Sequence, residues 1–374
     1  MFSAKDYLRS HLVNFRGIST KRKIVVIESD DWGTVRMQSK EAYDYFLGNG
    51  YPVNECGYNK FDSLESNEDI EQLLDLLSSV KTVRGGNPKF TINNIVANPN
   101  FEKILSSGYS EYFYESFIDT LNNYPKSDKV FELYKEGIQK DLIKPQFHGR
   151  EHVNIFRWLD DLKDGKKSLI EAFKFKMFTV HSNDSLGYKM EYMDTLSAAN
   201  LEQKLTLEDN LVDGIKLFNN IWGFSSDTFI APCFIWHSDL NKVLEYHQIY
   251  GVQGYHYQNE PTFADPKYKV KRHYFGEKLS GKQYYLMRNV TFEPSLNERK
   301  DWVNSALKEI EISFLWNKPA IISSHRVNYI GRIHQSNRKN GIVKLKNLLD
   351  EIVKRYPDVE FMYSSQLLSL FNKE

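Results

Sequence analysis

The chain has 374 residues, 41% of them hydrophobic and 26% charged, which is enough apolar material for a large core and an ordinary charge for a globular enzyme. Lysine plus arginine equals aspartate plus glutamate, 49 against 49, and this excludes the basic field that nucleic-acid binding requires. Two cysteines, Cys56 and Cys233, exclude a disulfide framework or a cysteine-rich zinc module; no run approaches 18 apolar residues and the polar first ten residues lack the apolar core of a signal peptide, so a cytoplasmic protein without a membrane span is expected.

The first element is the β-branched run Ile24-Val-Val-Ile27, within residues 22–33. It reads as a buried strand that ends in acid at Asp30-Asp31 and is broken by Gly33. Helical spacing follows at 39–47 and at 69–80, where Leu73, Leu74 and Leu77 share a face. Residues 90–96 form the second strand, stopped by the turn-prone Asn98-Pro99-Asn100. Residues 101–143 read as helical and rich in aromatics. A third strand, 144–148, leads into a histidine, and 154–220 is again helical, with breaks at Asp164-Gly165 and Ser182-Asn183-Asp184. Further strands are expected at 228–235, 251–256, 285–292, 320–324 and 359–363, before a helical tail at 365–371. Strands alternating with helices point to a single α/β domain over 1–374 with a largely parallel sheet or barrel, carrying helical insertions at about 101–143 and 155–220.

Three of these strands end in groups that carry chemistry. His148-Gly-Arg-Glu-His152 puts two imidazoles four residues apart, a spacing that on a helical turn lets both reach one metal ion. A hydrolytic metal usually takes three protein ligands and leaves a position open, so a third ligand is needed from elsewhere, with a carboxylate the expected one. Asp30-Asp31 offers one acid to bind and one to act as a base. His325, after the apolar run Ala320-Ile-Ile322, could protonate a leaving amine. The segment Phe229-Ile-Ala-Pro-Cys-Phe-Ile-Trp236 reads as a strand that turns at Pro232 and presents aromatics.

Taken in order, these elements resemble the polysaccharide deacetylases of the NodB-homology type (carbohydrate esterase family 4). That family's first motif is an apolar strand ending in Asp-Asp, here Asp30-Asp31-Trp-Gly33. Its second is His-x-x-x-His, here His148 and His152. Its third is an Arg-Pro-Pro-aromatic segment, here Ala231-Pro-Cys-Phe234, and its last is a histidine after a strand, here His325. The resemblance implies a distorted (β/α) barrel of the glycoside hydrolase/deacetylase type with about seven parallel strands. It implies that Asp31, His148 and His152 bind a divalent metal, Zn first with Co, Ni or Mn also suited, that Asp30 is the general base and that His325 is the general acid. Trp32, Pro232, Phe234, Trp236 and Arg326 are the expected substrate-binding residues.

The chain departs from the family pattern at several points. The family's Thr-Phe before Asp-Asp is Glu28-Ser29. The third-motif arginine, which orients the catalytic aspartate, is Ala231, with Arg288 or Arg326 as candidates to replace it. The aspartate–tryptophan motif that precedes the last histidine gives way to Arg288-Asn-Val-Thr-Phe-Glu293, and Ser323 stands where a leucine is usual. The leading expectation is a metal-dependent de-N-acylase acting on an amino sugar, a polysaccharide or a sugar-linked precursor. The alternatives are hydrolysis of another non-peptide C–N bond on the same fold, and a carbohydrate-binding barrel without activity, a reading that the missing arginine favours.

Overall fold

The run at 22–33 is a strand, β1 (Ile24–Trp32), and every one of its nine residues is buried. Its two faces enter different cores: Val25 and Ile27 join one apolar cluster, while Ile24 and Val26 join another. A strand covered on both faces has no polar side to alternate with, which is why it reads as a continuous β-branched run. The computed structural model describes residues 2–182, 191–263 and 268–371.

The strands that follow are β2 (Phe90–Asn94), β3 (Ala97–Pro99), β4 (Tyr114–Ser116), β5 (Ile143–Phe147), β6 (Thr228–Ile230), β7 (Gly251–Gly254), β8 (Tyr257–Pro261) and β9 (Tyr268–Arg272). After them come β10 (Lys278–Ser280), β11 (Gln283–Met287), β12 (Val290–Thr291), β13 (Ala320–His325) and β14 (Glu360–Met362). The main sheet runs β10-β11-β7-β6-β5-β2-β1-β13-β12. All of its pairings are parallel except the β10–β11 hairpin. β14 pairs with residues 24–26 of β1, and β2 pairs with residues 27–32. The protein is therefore a mixed α/β fold with a mostly parallel central sheet. Among the described residues no ladder joins β10 or β11 to β12, the two ends of the pairing path, so the ladders alone do not close the expected barrel.

Several expected elements are shorter or differently divided. The strand at 228–235 ends at Ile230, where Pro232–Phe234 forms a 3-10 turn with positive φ at Cys233 and Phe234. The strand at 285–292 is cut at Arg288-Asn289, where the backbone changes partner: Arg288 N–H donates to Gly254 O and Asn289 N–H to Ile321 O. The helical stretch at 101–143 holds helices Phe101–Ser106, Phe117–Asn123 and Val130–Gln139, but also the short β4, which pairs with β3. The stretch at 155–220 holds Ile155–Lys163, Lys167–Lys174 and Leu201–Trp222, the last ended by Gly223 in the left-handed region. Of its polar break at 182–184, only residue 182 lies among the described residues. Helices Ala4–Asn14, Trp302–Leu315 and Gln335–Arg355 and the antiparallel β8–β9 pair were not anticipated. Among the described residues no helix is long and apolar enough to cross a membrane.

Candidate active site and metal centre

The site begins with a defect in β1. The register against β2 shifts between Ser29 and Trp32, and Asp31 in that gap has φ 74°. In a regular strand adjacent side chains point to opposite faces. A bulge with one residue in the left-handed region breaks that alternation, and both Asp30 and Asp31 line one cavity. Gly33 follows with φ 86°; a Cβ there would lie 2.4 Å from Ile95 O, so only glycine lets the chain leave the bulge this way. The exit is pinned by Glu65, which accepts from Gly33 N–H at 2.9 Å, and by buried Arg326, which donates to Thr34 O at 2.8 Å.

His148 directly follows β5, and His152 sits four residues on in a loop, not on a helix. Gly149 at φ 119° starts the turn that brings the rings to 5.3 Å between centroids. The expected shared helical face is thus replaced by a loop that reaches the same end. Asp31 Oδ1 lies 3.3 Å from His148 Nε2 and 3.2 Å from His152 Nε2. The three residues offer ligand atoms within 4.8 Å of one another, and all three are buried. Nδ1 of His148 is 2.9 Å from Ile230 O, which fixes the tautomer and leaves Nε2 as the lone-pair donor. Burial pulls against the charge on Asp31, but the two imidazoles beside it hold its carboxyl well below the usual range. Burial also lowers the pKa of His152, a shift toward the neutral form that a metal ligand needs.

Asp30 is held differently. Arg288 grips it with two parallel hydrogen bonds, Nη1 to Oδ2 at 2.7 Å and Nη2 to Oδ1 at 2.6 Å, and Asn93 donates to Oδ1 at 2.7 Å. Burial would raise the carboxyl, but the charge and hydrogen bonds of Arg288, together with the nearby histidines, outweigh it and lower the pKa to about 2. Arg288 is itself fully buried and also donates from Nε to Glu28 at 2.6 Å and from Nη1 to Ser323 Oγ at 3.2 Å. Glu28 and Ser323, two positions at which the sequence departs from the pattern it resembles, thus meet at one guanidinium. Of the two candidates to replace the third-motif arginine, Arg288 reaches the aspartate. Arg326 is committed to Asp62 at 3.0 and 3.1 Å and to Glu65 at 2.8 Å.

His325, in register with Asp30 across β1 and β13, is 3.7 Å from Asp30 Oδ2 through Nε2. Its Nδ1 is 2.6 Å from Glu293 Oε1, and Asn328 donates to the other oxygen of Glu293 at 2.7 Å. Burial disfavours the imidazolium, but Glu293, with Asp30 and Asp31 behind it, overcomes that and raises the pKa to about 10. The residues that support both Asp30 and His325 therefore come from one stretch, 288–293. Pairing at strand ends in a parallel sheet is not visible along a sequence, so Arg288 could be named only as one of two candidates and Glu293 only by its presence.

These groups surround a cavity of about 250 Å³, which Arg36, Tyr58, Met193, Ala231, Cys233, Phe234, Tyr257 and Asn259 also line. Of the expected substrate-binding residues only Phe234 is at its wall. Trp32 is fully buried, donates to Ser29 Oγ and stacks on Tyr329. Trp236 is equally buried, bonded to Asn241 and stacked over Tyr285. Arg326 is locked in its acid cluster, and Pro232 is a buried turn residue. Trp32 and Trp236, the large flat side chains beside the motifs, fill the core and not the cavity wall. Sequence reasoning missed Arg36, Tyr58 and the β8 residues Tyr257 and Asn259, which carry no motif of their own.

No family model matches the chain, and no curated protein matches it in sequence. Among solved structures it overlaps a Mycobacterium smegmatis protein named as a polysaccharide deacetylase, at 10% identity and TM-score 0.41, covering 95% of this chain and 92% of that one. A Parabacteroides distasonis protein named as a glycoside hydrolase/deacetylase gives 9% identity and TM-score 0.47, covering 95% and 73%. Peptidoglycan deacetylase PdaC of Bacillus subtilis gives 11% identity and TM-score 0.34, covering 93% and 91%.

Proposed function

We propose that this protein is a metal-dependent hydrolase that removes an acyl group from the nitrogen of an amino sugar, in a polysaccharide or a sugar-linked precursor. The observation that carries the reading is that one cavity gathers a three-donor cation site and two proton carriers, each with its own buried partner. The donor set fits a divalent ion: one carboxylate and two imidazole Nε2 atoms converge, and His148 has its second nitrogen tied off. An ion bound by Asp31, His148 and His152 would supply Lewis acidity that polarises the amide carbonyl and acidifies a water, a role that Zn fills and that Co, Ni or Mn could share.

The remaining work falls to side chains. Asp30 is ionised, and its Oδ1 already accepts two hydrogen bonds while Oδ2 accepts one. Oδ2 therefore keeps the free lone pair that takes the proton of the attacking water. His325 carries a proton at neutral pH and gives it from Nε2 to the departing nitrogen, which would otherwise have to leave as an amide anion. Glu293 keeps that ring charged and oriented. Alanine at position 231 favoured a barrel without activity, but Arg288 on Asp30 removes that ground. In the same reading the sheet is a distorted barrel closed by chain continuity, supported by β11 on β7 and β12 on β13 with only two residues between them.

The test is a Zn titration of the full chain with Asp31→Ala and His152→Ala as controls, followed by assay of acetate and formate release from acylated amino sugars. One bound Zn, lost in both variants, is expected, with acyl release from at least one substrate. Absence of stoichiometric metal sinks the enzyme reading; bound metal without acyl release sinks the substrate class alone.

A further inference from the structure

Arg36 is a buried cation that the mechanism above does not use. It is only 9% exposed and stands in the wall of the same cavity as Asp31, His148 and His152. Its guanidinium lies over the rings of Tyr58 and Phe178, with Cζ 5.2 and 5.6 Å from their centroids. The plane of the cation is thus held by aromatic faces, and its edge is where hydrogen bonds must be made.

That edge is poorly served. A guanidinium has five N–H donors. Among the described residues Nη1 meets the thioether of Met193, a weak acceptor, and Nε lies 3.4 Å from Asp62 Oδ2. Asp62 is shared rather than dedicated to Arg36, because each of its oxygens also accepts from Arg326, at 3.0 and 3.1 Å. The carboxylates that line the cavity are engaged elsewhere, Asp30 by Arg288 and Asp31 by the histidine pair. Nη2 makes no hydrogen bond among the described residues and is not among the fully buried donors, so an anion entering the cavity would find it.

We propose that Arg36 receives an oxyanion of the substrate, a carboxylate or a phosphate, so that the enzyme acts on acidic acylated amino sugars. This rests on the hydrolase reading for the role of the cavity, not for the anion site itself. At about 250 Å³ the cavity is small for a ligand pocket, so the oxyanion and the acylated nitrogen belong to one sugar residue or its direct substituent. Tyr58, Phe234 and Tyr257 supply aromatic wall to the same cavity.

The experiment is calorimetric binding to the metal-free full chain, where hydrolysis does not intervene. The probes are N-acetylglucosamine, N-acetylmuramic acid and N-acetylglucosamine 1-phosphate. At least one acidic ligand should bind roughly 10–100-fold more tightly than the neutral sugar, the range of a charge-assisted hydrogen-bonded pair. Which acid prevails separates carboxylate from phosphate. Arg36→Gln should bring that ratio close to one without weakening the neutral sugar, and Arg36→Lys should keep part of it. Circular dichroism and melting of each variant monitor folding. Equal binding of all three ligands, no binding of any, or equal weakening of acidic and neutral ligands in Arg36→Gln overturns the proposal. The Zn titration is read separately: metal without anion preference removes the anion site only, and anion preference without metal removes the hydrolase only.

Discussion

Asp31 pays for its position with a backbone that L-residues avoid, φ 74° at the end of a buried strand. Alanine at 31 inherits that conformation whereas glycine relaxes in it. Both Asp31→Gly and Asp31→Ala should lose metal, and the glycine variant should be more stable than the alanine variant by about 1 kcal/mol in urea unfolding of the apo-protein. Equal stability would mean that the bulge carries no strain. For Asp30 the partner matters more than the backbone. Arg288→Gln should cut kcat by roughly 100-fold or more, in the range of lost acid–base catalysis, while Zn affinity at the neighbouring donors changes little. Parallel loss of both would show that Arg288 holds the whole site and not the base.

On the proposed mechanism His325 sets the alkaline limit. Its folded pKa is raised, so the charged form, and the stability its partners contribute, is complete below the ordinary histidine value of 6.5 and is lost as pH rises through about 10. Glu293→Gln removes the largest favourable partner, so the alkaline limb of kcat/KM should move to lower pH. An unmoved limb would exclude His325 as the acid.

At the scale of elements, the site depends on how the segment 326–329 meets the helix Gln335–Arg355. A Cβ on Gly341 would lie 1.6 Å from the backbone oxygen of Asn328, so the helix and this turn touch with no room for a methyl group. Asn328 in turn steadies Glu293. Gly341→Ala should therefore destabilise the fold by about 1–3 kcal/mol, despite alanine's better helix propensity, and lower activity as well. A variant as stable and active as the parent would show that the contact yields without cost. The other decisive element is the broken strand at 283–291. Its apolar character was legible, but its division into β11 and β12 was not, because the break depends on a change of hydrogen-bond partner from Gly254 to Ile321.

Across the whole molecule, a cation bound to three buried ligands stabilises the folded chain in proportion to its occupancy. Zn at about 100 times its Kd should add roughly 2.7 kcal/mol to unfolding stability, reversed by a chelator and absent in Asp31→Asn. A melting curve indifferent to metal would mean that the three donors do not act together.

Composition, the β-branched runs and the acid or histidine at the end of each were enough to read an α/β chain and to single out Asp30, Asp31, His148, His152 and His325, because a buried strand and a strand-end titratable group both leave local marks. Barrel closure was not legible, nor was the identity of the second support for each catalytic candidate. Trp32, Trp236 and Arg326 stood beside motifs and looked like binding residues; burial turned them into core. Arg288 on Asp30, Glu293 on His325 and Arg36 on the cavity wall are decided only by tertiary structure. Each joins residues distant in sequence, and a lone arginine or glutamate acquires its role from the burial and the opposite charge that the fold brings to it.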